Sequence, residues 1–272
     1  MQGCRRIVND LESDSPPYWA DAPLNPDTAS RLADDAVEVV VTRLDVEPEA
    51  FEALERWLPD EERQRASRFH FECDRRRFIV ARGRLRQLLA SRLGVKPQSV
   101  ELSYGAHGKP ALAHGSAAVD WRFNASHSMD VAVYAFCRGR EVGIDVEAIH
   151  SVQCADAVAA HFFSRSELEA YRALDPRDKQ LGFFNCWTRK EAFIKALGEG
   201  LSFPLDEFDV SLSPDEPARL LRVGNMDGNE SGWSLRGFSP MPGYVAAVVI
   251  ERSRAAMNDA AFTKGLACTL WK

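Results

Sequence analysis

The segment Val142-Gly143-Ile144-Asp145-Val146-Glu147 is where residue type and spacing first point to chemistry in this chain. Side chains alternate across a strand, so Ile144 and Val146 face a core. Asp145 and Glu147 then project together from the opposite face, next to the space that Gly143 leaves. Adjacent carboxylates repel unless a positive charge sits between them, and a hard cation such as Mg2+ suits oxygen ligands. Two solvated acids on an outward strand face would give the same pattern.

Further on, Cys186, Trp187, Phe193, Ile194 and Leu197 form one apolar arc at the helical period. Glu191 and Lys195 lie together on its shoulder, a spacing that also makes an ordinary surface ion pair. Lys190 falls near the middle of the arc, where a merely solvated lysine is out of place. One acid with two ammonium groups suits a metal-bound phosphate. Trp121-Arg122-Phe123 runs into Asn124-Ala125-Ser126-His127-Ser128, a strand-to-loop corner with hydroxyls and an imidazole for an anion, or plain turn chemistry. Gly105-x-x-Gly108-Lys109-Pro110 is a glycine turn presenting one ammonium. Ser164-x-x-Glu167 matches a capping box, which reads Glu167 as structural. No phosphate-cradling, zinc-protease, serine-hydrolase or dinucleotide fingerprint is present.

Composition narrows the setting. The chain has 272 residues, 45% hydrophobic and 27% charged, with 17 Gly and 14 Pro, which excludes collagen-like and wholly disordered chains. No apolar run reaches membrane-spanning length, and Met1 to Arg6 is followed by Asn9, Asp10 and Glu12 rather than an export signal. The six Cys are scattered without zinc spacing, so free thiols in a reducing, cytoplasmic setting are expected. A net charge of −6 argues against nucleic acid as the partner. Nine Arg nevertheless crowd between Arg63 and Arg86, against only Glu72 and Asp74, as if reserved for an anion.

The elements that must position these residues follow from periodicity. Residues 1–36, with four Pro, read as an extension of little regular structure. A strand opens the folded part at Val37, followed by helices over Glu49–Leu58, from Asp60 as cap, and over Arg75–Leu93 with Gly94 as the stop. Strands are expected over Val100–Tyr104, Asp120–Phe123, Val131–Cys137 and Val142–Glu147, then helices over Ala155–His161, Ser164–Leu174 and Asp178–Leu197. Four strands close the pattern at Phe208–Leu212, Arg219–Val223, Trp233–Phe238 and Tyr244–Ile250, and the tail from Arg252 is read as ending in a helix. Helix, Gly, Pro, strand occurs twice about 110 residues apart, as two related halves or as a common α+β order. The fold class is α+β on either view. The division is 1–36 extension, 37–140 first half, 141–251 second half and 252–272 tail.

Taken in order, G-K-P (108–110), N-x-S-H-S (124–128), G-I-D-V-E (143–147) and W-T-x-K-E-A-x-x-K (187–195) resemble the Sfp-type 4′-phosphopantetheinyl transferases. The resemblance runs from about Val37 to Ile250. It implies two α+β halves related by a pseudo-twofold, with coenzyme A in the cleft between them. It also implies holo-[acyl-carrier-protein] synthase activity: transfer of the phosphopantetheine arm to a serine of an apo acyl or peptidyl carrier, with release of 3′,5′-adenosine diphosphate. Such carriers serve fatty-acid, polyketide and nonribosomal-peptide synthesis. By motif, Asp145, Glu147 and Glu191 would hold Mg2+ (or Mn2+), and Lys195 and His127 would meet the diphosphate. Lys109 and Ser126 would help place the nucleotide, and Arg65 and Arg77 would take its 3′-phosphate. Glu191, Glu167 or a metal-bound water would deprotonate the serine. A monomer without nucleic acid or membrane is expected, with the Arg-rich segment or the stretch His150–Phe163 meeting the carrier. Two other readings are a metal-dependent phosphohydrolase of a nucleotide diphosphate and a non-catalytic coenzyme A or carrier-binding regulator.

Overall fold

Residues 36–113, 120–200, 203–228, 231–252 and 266–271 are described by a computed structural model of the chain. The expected extension lies outside these residues, save for Ala36. Strand β1 (Val37–Arg43) is followed by helices α1 (Pro48–Arg56), α2 (Asp60–Ala66) and α3 (Glu72–Leu93). Short strands β2 (Leu102–Tyr104) and β3 (Pro110–Leu112) form a hairpin before β4 (Trp121–Ser128), β5 (Val131–Arg138) and β6 (Val142–Ala148). Then come α4 (Ala155–Phe162), α5 (Arg165–Ala173) and α6 (Lys179–Leu197). Strands β7 (Phe208–Val210), β8 (Leu220–Val223), β9 (Met226–Asp227), β10 (Trp233–Phe238), β11 (Tyr244–Glu251) and β12 (Leu266–Trp271) complete the order.

Two antiparallel-rich sheets form the centre, β12-β1-β5-β4 and β10-β11-β6. Their facing sides bury Val37, Val39, Val41, Val133 and Ala135 against Ile144, Val146, Val248 and Ile250. The outer side of the first sheet carries α1–α3 through Val40, Tyr134 and Phe136, with Leu54, Leu85 and Leu88 from the helices. The outer side of the second carries α6 through Ala192, Phe193 and Ala196 against Val245, Ala247 and Val249. The layers therefore run helix, sheet, sheet, helix, which lets each sheet bury both faces. This explains the unbroken apolar run of β5, buried from Val131 to Cys137. Glu38, which alternation places on an open face, is buried and joined to Arg92 at 2.5 Å, with that guanidinium 3.7 Å from the Phe136 ring centroid.

The two halves share a construction. Each long helix, α3 and α6, ends on a left-handed glycine, Gly94 (φ 67°) and Gly198 (φ 77°). Each is followed by a 3-10 turn, Pro97–Ser99 or Leu205–Glu207, that leads to a short strand. The chain is α+β, as the mixed order of its helices and strands implies.

Three local expectations are corrected. The N-cap of α2 is Pro59, with Asp60 inside the first turn, where its charge still favours the helix. The Asn124–Ser128 stretch is not a corner. It continues β4 because every residue from Trp121 to Ser128 pairs with β5. The tail does not end in a helix. Leu266–Trp271 pairs in parallel with β1, from Val37 opposite Leu266 to Thr42 opposite Trp271. A sheet edge more than 200 residues away in sequence settles that segment, which no local period records.

Candidate active site

Gly143 brings the site together, though not by leaving room for an ion. A Cβ there would lie 2.1 Å from the Ala192 carbonyl oxygen and 2.3 Å from the Ala196 amide nitrogen. Only glycine lets α6 settle directly on β6, so the space is filled by helix backbone. The face of β6 that bears Asp145 and Glu147 therefore meets the side of α6 that bears Glu191 and Lys195.

The contacts are short. Lys195 Nζ donates to Asp145 Oδ1 at 2.6 Å and to Ser126 Oγ at 3.0 Å, while Ser126 Oγ itself donates to Asp145 Oδ1 at 2.8 Å. Ser128 Oγ donates to Glu147 Oε2 at 2.8 Å. Burial first, then Asp145 and Glu191, push the Glu147 carboxyl up to about 6, against the pull of Ser128 and Lys195. Burial also raises the Glu191 pKa, with Lys195 opposing it and Asp145 adding to it. For Lys195 burial disfavours the charge, but Asp145, Glu191 and Glu147 together outweigh it and raise its pKa. The three acids and the lysine thus form one electrostatic unit, neither solvated nor scattered.

Whether this unit fits a divalent ion can be tested on the side chains themselves. Asp145 Oδ2 is buried and makes no hydrogen bond. Three hard carboxylates against one ammonium leave negative charge in excess, and a buried carboxylate oxygen without a partner is costly. Among the described residues no three acid, His or Cys side chains already converge as a metal-ligand set. The donor chemistry, carboxylate oxygens with one left without a hydrogen bond, fits a hard cation.

A cleft of about 430 Å3 lies between the halves, with Lys109, Asn124 and Ala125 on one side and Glu191, Lys195 and Gly198 on the other. Its size is within the usual range for a small-molecule site. Lys109, carried after Gly108 (φ 79°), donates to Glu141 Oε2 and to the Ala196 carbonyl, each at 3.0 Å. It ties the hairpin of the first half to the end of α6 in the second. His127 is open to solvent on one side. The protein around it, then the charges of Lys195, Arg77 and Arg82, keep its pKa below the ordinary histidine value.

The arginines behave differently from their sequence reading. Arg77 is bound to Asp130 through Nε at 3.0 Å and Nη2 at 2.9 Å, and to Asp74 at 3.3 Å. Arg75 pairs with Glu55 and Glu72, Arg86 with buried Glu62, and Arg63 with Asp60. Much of the segment is therefore internal wiring, not a free cationic face. Arg65 stays exposed with its guanidinium 5.4 Å from the Phe78 ring centroid. It lines a second cavity of about 800 Å3, and Gly108 borders both cavities.

One further reading changes. Lys190 does not join the phosphate cluster. It is buried with Glu167 at 2.8 Å and donates to the carbonyls of Leu205 at 2.5 Å and Phe208 at 2.8 Å. Glu167 closes the capping box on the Ser164 amide at 2.8 Å and accepts the Val210 amide at 2.8 Å. With its oxygens engaged and almost no exposure, it is a framework residue. Spacing alone missed Ser128 and Asn124 as partners of β6, since their alternation on β4 was hidden by the corner reading.

With this geometry in view, the comparisons agree on one family. Residues 141–249 match the 4′-phosphopantetheinyl transferase superfamily, and residues 45–138 match the N-terminal part of the 4′-phosphopantetheinyl transferases. The 4′-phosphopantetheinyl transferase HetI of Nostoc sp. is 37% identical over 219 residues, covering 80% of this chain and 89% of that protein. The 4′-phosphopantetheinyl transferase Sfp of Bacillus subtilis is 28% identical over 192 residues, covering 71% of this chain and 81% of that protein. The human L-aminoadipate-semialdehyde dehydrogenase-phosphopantetheinyl transferase is 33% identical over 167 residues, covering 58% of this chain and 54% of that protein. The chain belongs to the 4′-phosphopantetheinyl transferase family and is of the Sfp type. No helix among the described residues is long and apolar enough to cross a membrane.

Proposed function

We propose that this enzyme moves the 4′-phosphopantetheine arm of coenzyme A to a serine of an apo acyl or peptidyl carrier protein, releasing 3′,5′-adenosine diphosphate. The observation that carries the reading is the spare, buried Asp145 Oδ2 among Glu147, Glu191 and Lys195 beside an inter-half cleft. Asp145, Glu147 and Glu191 would hold Mg2+. When bound, the ion would draw charge from the diphosphate and stabilise the departing phosphate.

The chain's own groups do the rest. The serine Oγ forms a bond to the β-phosphorus as the bond from that phosphorus to the bridging oxygen of the nucleotide breaks. Lys195, kept charged by Asp145, meets the non-bridging oxygens where charge gathers. His127, whose surroundings hold its pKa below the ordinary histidine value, donates a hydrogen bond there. Glu191 takes the serine proton as general base. Lys109 and Ser126 line the nucleotide's approach, and Arg65 in the adjoining cavity, with Arg77, meets the 3′-phosphate. The exposed stretch after Glu147, residues 150–163, offers the carrier a way to the site. One chain supplies both sides of the cleft, so a monomer suffices as the working unit, divided at 37–140 and 141–251, with Leu266–Trp271 of the tail returning to the first sheet. Neither nucleic acid nor membrane enters the reaction.

Incubation with coenzyme A, Mg2+ and an apo carrier protein should give the carrier the mass of one phosphopantetheine arm, lost on chelation. Release of nucleotide from coenzyme A without a carrier would favour the phosphohydrolase. Tight coenzyme A binding with no product would favour the regulator.

A further inference from the structure

The two central sheets end at facing edges, β4 on one and β6 on the other, and no backbone ladder joins those edges. An open strand edge presents amides that must find partners once buried. Here side chains of β4 supply them. Asn124 Oδ1 accepts the Ile144 amide at 3.0 Å, and Ser128 Oγ accepts the Ala148 amide at 3.1 Å. Ile144 is fully buried and Asn124 nearly so, so solvent offers that amide no substitute. The accepted amides belong to the residues that flank Asp145-Val146-Glu147 on either side.

Between these ties, Ser126 and Ser128 each donate to a carboxylate, Asp145 Oδ1 and Glu147 Oε2. Asn124, Ser126 and Ser128 are alternate residues of one strand and share a face. They meet β6 at the spacing of its own alternate residues. One row of three polar side chains therefore fixes the backbone of β6 and aims both of its acids. Ser128 does both tasks with a single hydroxyl: it accepts from the Ala148 amide and donates to Glu147.

We infer that Asn124 and Ser128 are positioning residues, through which the first half of the molecule sets the geometry of the carboxylates in the second. The inference rests on the reading that Asp145 and Glu147 hold the divalent ion. It gives Asn124 and Ser128 a role apart from substrate contact: Ser128 acts through Glu147, and Asn124 through the backbone at Ile144. It also explains why the two sheets need no shared ladder.

The test uses the full-length enzyme with coenzyme A and reads Mn2+ binding by the resonance of the free ion, alongside kcat, KM and Tm. Ser128→Ala should weaken Mn2+ binding by about tenfold or more, the usual consequence of losing a residue that orients a metal ligand. Its kcat should fall in parallel, while KM for coenzyme A stays within about twofold on the same principle. Ser128→Thr, which keeps the hydroxyl, should restore most of both. Asn124→Ala should lower Tm by about 2–12 °C, since it strands a buried amide. Wild-type Mn2+ affinity and kcat in Ser128→Ala, with Mn2+ binding lost in Glu147→Gln, would overturn the positioning role alone. Undiminished Mn2+ binding in both Asp145→Asn and Glu147→Gln would overturn the metal reading and this inference together.

Discussion

Two lysine–carboxylate pairs hang from the same helix, five residues apart, and they are built to opposite ends. Lys190 and Glu167 are both almost wholly buried, and every neighbouring donor has found an acceptor: the Ser164 and Val210 amides on Glu167, the Lys190 ammonium on Glu167 and two carbonyls. Lys195 and Asp145 meet at 2.6 Å beside the cleft, with the Lys195 side chain 29% exposed and one oxygen of Asp145 left over. A satisfied buried pair fixes structure. A pair with an oxygen to spare and a cleft beside it is equipped to bind. Distance alone does not tell them apart, since both contacts are short. The accounting of remaining donors and acceptors does.

The comparison can be broken or sharpened by mutation. The largest effect is expected at the unsatisfied pair. Asp145→Ala or Glu191→Ala should abolish transfer, by about three orders of magnitude or more in kcat, while circular dichroism and Tm stay near wild type. Near-normal carrier modification by either variant would refute the metal assignment. At the satisfied pair the effect should fall on stability instead. Glu167→Gln or Lys190→Met should cost roughly 3–5 kcal/mol, which thermal melts would register as about 6–20 °C for a chain of this size. The folded fraction should still turn over. A Glu167→Gln protein that melts normally but is inactive would return Glu167 to candidacy as the base.

Gly143→Ala tests the contact that unites the two. Overpacking of this kind costs about 1–3 kcal/mol, and here it must also push α6 away from β6, so activity should fall further than Tm implies. A fully active Gly143→Ala enzyme would mean the close approach is not needed. The smallest effect is expected at the arginines. Arg65→Ala should raise KM for coenzyme A a few-fold more than for its 3′-dephosphorylated form, because an exposed charge contributes about 1 kcal/mol or less. Arg77→Ala should discriminate less than Arg65→Ala, since Asp130 and Asp74 already hold its guanidinium. Equal losses on both substrates would move Arg65 off the 3′-phosphate.

Much of this was legible in the chain. Apolar periods locate α6 and most of the central strands, the capping box at Ser164 identifies Glu167 as framework, and Gly94 and Gly198 end their helices where expected. The alternation in Val142–Glu147 places Ile144 and Val146 in the inter-sheet core and both acids on the other face, as observed. Other features were not legible because their cause is remote. Lys190 looks like a site residue on a helical wheel, and only the position of Glu167 on another helix turns it inward. The arginine run looks free until Glu55, Glu62 and Asp130 arrive from three other segments.

By itself, then, the sequence determined the class of fold, the extent of its principal helices and the pairing of two acids on one strand face. Those depend on neighbours within a few residues, whose spacing is written in order along the chain. Tertiary structure alone decided which charges are spent internally and which remain for a ligand. It also decided that β4 stitches β6 with side chains, and that the last strand returns to the first. Such outcomes turn on which groups meet in space after folding, and a buried donor takes whatever acceptor the packing brings to it.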